Sequence, residues 1–144
     1  MIRARAEVDV LRPAAEVASF LADPVNDARW QKGILKVDLV EGTRGAVGAT
    51  YDRVQEAMGR PVKTVHELTA NSPDRVSFHS KGKVIDLRLT YALTVNGGGT
   101  RVAAEVEGEM LGFAAMFEGM VNEALQKDLA RNLERLRETL GSVT

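Results

Sequence analysis

Apolar and polar residues alternate with a period of two along most of this chain, and near Gly112 the rhythm changes to a helical one. Ile2, Ala4, Ala6, Val8 and Val10 interleave with Arg3, Arg5, Glu7 and Asp9, which predicts a strand with one wet face. Further strands are predicted over Ile34 to Val40, Val47 to Ala57, Pro61 to Ala70, Arg75 to Lys81, Val84 to Val95 and Arg101 to Met110. Between the first two strands, Pro13 suits the first turn of a helix. Val17, Phe20 and Leu21 give that helix an apolar side, and Pro24 ends it. Asp23 is placed to cap a second short helix leading to Trp30. Beyond Gly112, Phe113 to Leu140 reads as one long helix. Its front half carries Phe113, Met116, Phe117, Met120 and Val121, and its back half an apolar stripe of Leu125, Leu129, Leu133, Leu136 and Leu140. At 1.5 Å per residue it is about 42 Å long, enough to cross most of a sheet whose strands reach roughly 33 Å.

The turns set the neighbours. Met58-Gly59, Asn71-Ser72-Pro73-Asp74, Gly82-Lys83 and Asn96-Gly97-Gly98-Gly99 join consecutive strands too tightly for a crossover, so neighbouring strands run antiparallel. Counting outward from each turn pairs Tyr51 with His66, His66 with Phe78, Phe78 with Leu87, and Leu87 with Gly108, all on the inward face; a bulge would shift any of these steps. The predicted fold is α+β: one domain over residues 1–144, with a seven-stranded antiparallel sheet wrapped around the C-terminal helix. Small inward residues (Ala4, Ala6, Ala49, Ala104, Gly108) facing flexible ones on the helix predict a space that is lined but not filled, with Trp30, Phe113, Met116, Phe117 and Met120 as wall or lid. The same small residues would equally let the helix pack closer.

Composition narrows the function classes. A chain of 144 residues suits one domain that needs no metal or disulfide to hold it. Nineteen Lys and Arg residues are spread among 20 Asp and Glu, for a net charge of -1, which disfavours nucleic acid as a partner. No apolar run approaches the roughly 20 residues that span a bilayer, and the charged, alternating N-terminal segment is unlike a signal or transit peptide. The absence of cysteine removes disulfides, thiolate nucleophiles and cysteine metal sites. The expectation is a soluble cytoplasmic domain without an integral membrane segment; no pattern in the sequence sets the oligomeric state.

The candidate chemistry centres on His66, which falls on an inward face between Tyr51 and Phe78. It can serve as a polar anchor or as a general acid/base with the Tyr51 hydroxyl as hydrogen-bond partner, or it can be a core histidine satisfied by that tyrosine or by backbone. An imidazole in a dry pocket favours its neutral form. Arg53, on the same face as Tyr51, is a charge directed inward; it needs a partner such as a ligand carboxylate, or it snorkels to solvent from the end of an edge strand. His79 is predicted to point outward, so the two histidines do not share a metal, and no third ligand is evident. Glu105, Glu107 and Glu109 alternate outward. The Gly42, Gly45 and Gly48 loop leads into a strand and lacks the helix N-terminus of a phosphate loop.

The ordered set of strand, two short helices, six antiparallel strands and long helix, with Pro13-Ala14-Ala15-Glu16-Val17, Trp30, Gly48-Ala49-Thr50-Tyr51 and Gly99-Thr100-Arg101-Val102, resembles the START-like, helix-grip (SRPBCC) superfamily, in particular its polyketide cyclase/dehydrase-like subset. The resemblance implies the helix-grip fold over the whole chain. It does not choose an activity, because this superfamily includes lipid carriers, hormone and flavonoid binders, cyclases, dehydratases and chaperone activators. Three readings follow. In the first, the domain binds a small, largely apolar molecule (a polyketide, aromatic metabolite or lipid), with Tyr51 and His66 orienting its polar atoms. Trp30, Phe78, Leu87, Leu89, Tyr91, Phe117 and Met120 then supply apolar contact, and Arg53 stands at the mouth. In the second, a cyclase or dehydratase needing no cofactor uses His66 as the base and Tyr51 to stabilise an enolate. In the third, the domain is an interaction module with a vestigial pocket.

Overall fold

The computed structural model describes residues 1–57 and 59–141. Met58, half of the predicted Met58-Gly59 turn, lies outside the described residues. The elements follow the order β1 (Ile2–Val10), α1 (Ala14–Leu21), a 3-10 helix (Pro24–Arg29), β2 (Ile34–Glu41), β3 (Thr50–Ala57), β4 (Arg60–Ser72), β5 (Arg75–Lys81), β6 (Ile85–Asn96), β7 (Gly99–Met110), a second 3-10 helix (Gly112–Phe117) and α2 (Glu118–Gly141). The strands form one antiparallel sheet in the order β1-β7-β6-β5-β4-β3-β2. Asp23 caps the first 3-10 helix by accepting from the Val25 N–H at 3.2 Å.

Two of the four expected register steps hold: Tyr51 pairs with His66 and Leu87 with Gly108. The two between them do not. His66 lies opposite Ser80, and Phe78 opposite Leu68 on one side and Leu89 on the other. The register of β4 against β5 shifts between Leu68 and Ala70, and the connecting turn is Pro73-Asp74, flanked by the Ser72–Arg75 pair. The β5–β6 turn centres on Lys83-Val84, closed by the Gly82 N–H donating to the Ile85 carbonyl at 2.9 Å. Gly82 meets a different demand from the one its position suggested. A Cβ there would stand 2.7 Å from the Lys63 carbonyl oxygen, so glycine lets β4 approach.

The concave face holds the core. Val17 and Leu21 of α1 join Val10, Leu68, Val76, Leu93, Val102, Leu133 and Leu136 in one buried cluster. The two sheet edges are treated differently. The free edge of β1 is covered by α2, whose side chains replace a neighbouring strand: Asn122 Oδ1 accepts from the Arg3 N–H at 2.6 Å, and Gln126 accepts from the Arg5 N–H at 2.9 Å and donates to the Arg5 carbonyl at 2.5 Å. The β2 edge stays open, and two register shifts against β3 interrupt it. Arg3–Glu107 and Arg5–Glu105 pairs, at 3.0 and 3.1 Å, line the outer face, where those glutamates were expected.

The long helix corrects the expectation most. Gly112–Phe117 is a 3-10 helix, and the α-helix begins only at Glu118. Phe113, Met116, Phe117 and Met120, expected as wall or lid, are all exposed. The first three lie in the 3-10 helix, outside α2; for Met120 the cause is helical phase. Each step of four residues overshoots a full turn by about 40°, so a 117, 121, 125, 129, 133 series winds around the helix instead of holding one face. Leu129, Leu133 and Leu136 set the buried side, and Met120 falls opposite them.

Candidate functional site

Between the sheet and the front half of α2 lies a cavity of about 300 Å³. It exists because the two surfaces diverge. At the back of α2, Leu133 and Leu136 reach the sheet and are fully buried. Further forward, Val121, Ala124 and Leu125 face Leu87, Leu89, Val106 and Met110 across open space. Exposed Glu56, Ala57 and Val84 line the opposite margin, at the hairpin ends, and mark the mouth.

His66 of β4 lines this cavity and is 5 % exposed. Its ring packs against Phe78 with centroids 5.3 Å apart, although the two are not paired in register. Its Nδ1 has no hydrogen-bond partner among the described residues. Burial, and secondarily the charge of Arg53, hold its pKa well below the usual histidine range, so the ring is neutral. The expected hydrogen bond from Tyr51 is not formed. Tyr51 is a backbone neighbour of His66, but its phenol runs to the Gly42–Gly48 loop, where its oxygen accepts from the Gly45 N–H at 2.9 Å. Tyr51 is fully buried and is not part of the cavity wall, and neither is Phe78. Phe117 and Met120 are also absent from the wall, whereas Trp30, Arg53, Leu87, Leu89 and Tyr91 are part of it.

Arg53 points inward and is buried, so it does not snorkel. Its partner comes from the chain itself. Nε donates to Asp27 Oδ2 at 3.1 Å, and the terminal nitrogens donate to Gln55 Oε1 at 2.8 Å and Gln31 Oε1 at 2.5 Å. The 3-10 helix Pro24–Arg29 assembles this corner, because the Asp27 carbonyl accepts from the Trp30 and Gln31 N–H groups at 3.1 and 2.7 Å. Burial raises the Asp27 carboxyl to about 6, although Arg53 pulls the other way. Tyr91 is raised too, by burial and by Asp27, and keeps its proton. Trp30 is 2 % exposed, meets Tyr91 edge-on at 6.1 Å, and its Nε1–H has no acceptor among the described residues.

Asp27, Gln31, Gln55, Thr64, Ser80 and Asn132 also belong to this corner or to the cavity wall and were not anticipated. Thr64 could have been found, since it shares the inward alternation of His66. Asn132 sits beside Leu133 on the buried arc and accepts from the Lys32 N–H at 3.2 Å. His79 lies apart from His66 and pairs with Asp86 at 2.6 Å, a hydrogen bond that holds the Asp86 carboxyl below its ordinary range. Among the described residues no three His, Cys, Asp or Glu side chains are grouped to hold a metal, and no helix is long and apolar enough to cross a membrane. The glycine loop is closed by an Arg44–Asp23 ion pair.

The fold is shared with solved structures of low identity. The protein TTHA0849 from Thermus thermophilus superposes with a TM-score of 0.83 at 21% identity, covering 99% of both chains. A START superfamily protein from Mycobacterium smegmatis gives 0.78 at 12%, again covering 99% of both. BexL, a di-domain ARO/CYC from the BE-7585A biosynthetic pathway, gives 0.74 at 20%, over 96% of this chain and 46% of its own. No curated protein matches the sequence significantly. Residues 1–141 match the polyketide cyclase / dehydrase and lipid transport family, and with the helix-grip fold around the cavity the chain belongs to that family.

Proposed function

We propose that this protein binds a small, largely apolar, uncharged molecule carrying at least one oxygen, held between the sheet and the front of α2. One observation carries the reading: a cavity with mainly apolar walls lined by Trp30 and His66, whose Nε1 and Nδ1 are buried without a hydrogen-bond partner among the described residues. Unpaired buried polar groups are rare in folded proteins because each costs about 1–3 kcal/mol. The indole N–H can only donate, so it calls for a carbonyl, ether or hydroxyl oxygen; the neutral imidazole can donate or accept through Nδ1. Asp27 balances the charge of Arg53, which favours an uncharged guest over a carboxylate. The volume falls at the lower end of small-molecule sites. Family membership supports a hydrophobic ligand-binding or cyclase role.

The test is native mass spectrometry of the purified protein, then solvent extraction and identification of whatever is released. Titration of an extracted compound should show weaker binding to Trp30→Phe, which keeps the ring shape and removes the donor. Unchanged affinity in that variant would sink the reading.

A cyclase or dehydratase is the second reading, favoured by one feature: a neutral imidazole at the cavity wall can take a proton next to a ketone. Tyr51 is not available as its partner, since its hydroxyl is held by Gly45, so a developing enolate would be met by Trp30 Nε1. This reading expects His66→Ala to abolish turnover while sparing affinity, and equal loss of both would assign the residue to binding.

A further inference from the structure

We propose that the open end of this molecule docks on an anionic lipid surface. Phe113 and Met116 are 80% and 73% exposed, and Phe117 and Met120 about half. Single exposed apolar residues are ordinary, but four large ones within eight residues form a contiguous patch. From Met110 to Phe117 the chain carries no charge. The patch adjoins the β5–β6 hairpin, because the Leu111 N–H donates to the Val84 carbonyl at 2.7 Å, and Val84 is itself exposed.

Charge selects the partner. The β5–β6 hairpin presents exposed Lys81 and Lys83, and the β3–β4 hairpin exposed Arg60 and Lys63. None of these four forms an ion pair among the described residues. Nearby carboxylates are fewer or occupied. Glu118 pairs with the N-terminal amine, Glu123 with Lys127 and Asp86 with His79, which leaves Glu56, Glu109 and, at the cavity wall, Asp128. An apolar knob flanked by unpaired cations suits a membrane interface with anionic headgroups. A second copy meeting this end would instead bring two basic rims together. The cavity mouth lies between the two hairpins and the knob, so a guest could pass between bilayer and cavity without crossing water. Docking itself does not depend on that guest.

The experiment is flotation of the full chain with vesicles of phosphatidylcholine alone and of phosphatidylcholine mixed equally with phosphatidylglycerol, alongside sedimentation velocity without lipid. The expected result is binding to the anionic vesicles only, weakened by salt. Phe113→Glu with Met116→Glu should abolish it, and Lys83→Gln should weaken it roughly fivefold. Val95→Glu, an equally exposed site on β6 at the strand's other end, should bind as the parent does. All four altered positions are on the surface, so the melting temperatures of these variants should match the parent. Equal binding to both vesicle types, binding to neither, or binding that survives the double substitution would overturn the proposal. So would a dimer in solution that the double substitution dissolves, since the patch would then be a contact between copies. Ligand extraction from the lipid-free protein tests the cavity separately.

Discussion

The two halves of α2 do opposite things with their apolar side chains. Leu129, Leu133 and Leu136 are buried against the sheet, whereas Met120, nearer the start of the helix, is about half exposed, and Val121 and Leu125 border a void. One half closes the core. The other stands off from Leu87, Leu89 and Met110 and leaves room. A single helix thus serves stability at its back and access at its front, and the two demands compete for the same hydrophobic composition. The polar corner of Asp27, Arg53 and Trp30 lies between these regimes, with Trp30 belonging both to the core cluster and to the cavity wall.

The largest expected effect breaks that corner. Arg53→Met leaves Asp27 buried without its counter-charge and should cost about 3–5 kcal/mol in a denaturant melt. A loss under about 1 kcal/mol would mean that the carboxylate reaches water. Next comes the contrast along α2. Leu136→Ala should cost about 2–5 kcal/mol, while Met116→Ala should stay within about 0.5 kcal/mol. Equal losses would erase the distinction between the two halves. Filling the front sharpens it further. Ala124→Phe places a ring where α2 faces the void, so ligand affinity should fall at least about tenfold, or about 1.4 kcal/mol, by calorimetry, with the melting temperature held or raised.

The smallest effect is a difference of slopes with pH. His66 has a folded pKa well below its unfolded value, so the stability tied to its neutral form is present above about 6.5 and is lost as pH falls below that. Asp27 acts oppositely. Its carboxyl rises from 3.8 to about 6 on folding, so the fold binds a proton more readily than the unfolded chain, and stability is gained as pH falls across that interval. His66→Gln removes only the first contribution. Its melting temperature should therefore drop less than the parent's between pH 7 and pH 5; an identical drop would mean that the imidazole is not desolvated.

Local rhythm made much of the fold legible in the sequence. Period-two alternation locates every strand, Pro13 and Pro24 bracket α1, and Asp23 caps where expected, because each depends on a few adjacent residues. The alternation also placed His66 and Arg53 inward, and Tyr51 opposite His66. It failed wherever the position of a turn, a bulge or a distant partner decided. The β4–β5 turn at Pro73-Asp74, together with the shift near Thr69, moved Phe78 from His66 to Leu68, and the later β5–β6 turn moved it from Leu87 to Leu89. The 3-10 turn before α2 and the rotation of α2 itself left Phe117 and Met120 in solvent.

What the sequence alone determined, then, is where the strands and the main helices run and which side of most strands faces in, since the backbone repeats do this locally. What only tertiary structure decided is what those inward groups meet. Asp27 reaches Arg53 from 26 positions away, and Gly45 takes the hydroxyl that His66 was expected to share. A buried charge or polar atom must find some partner, but the chain's path in space, not its local pattern, selects which one.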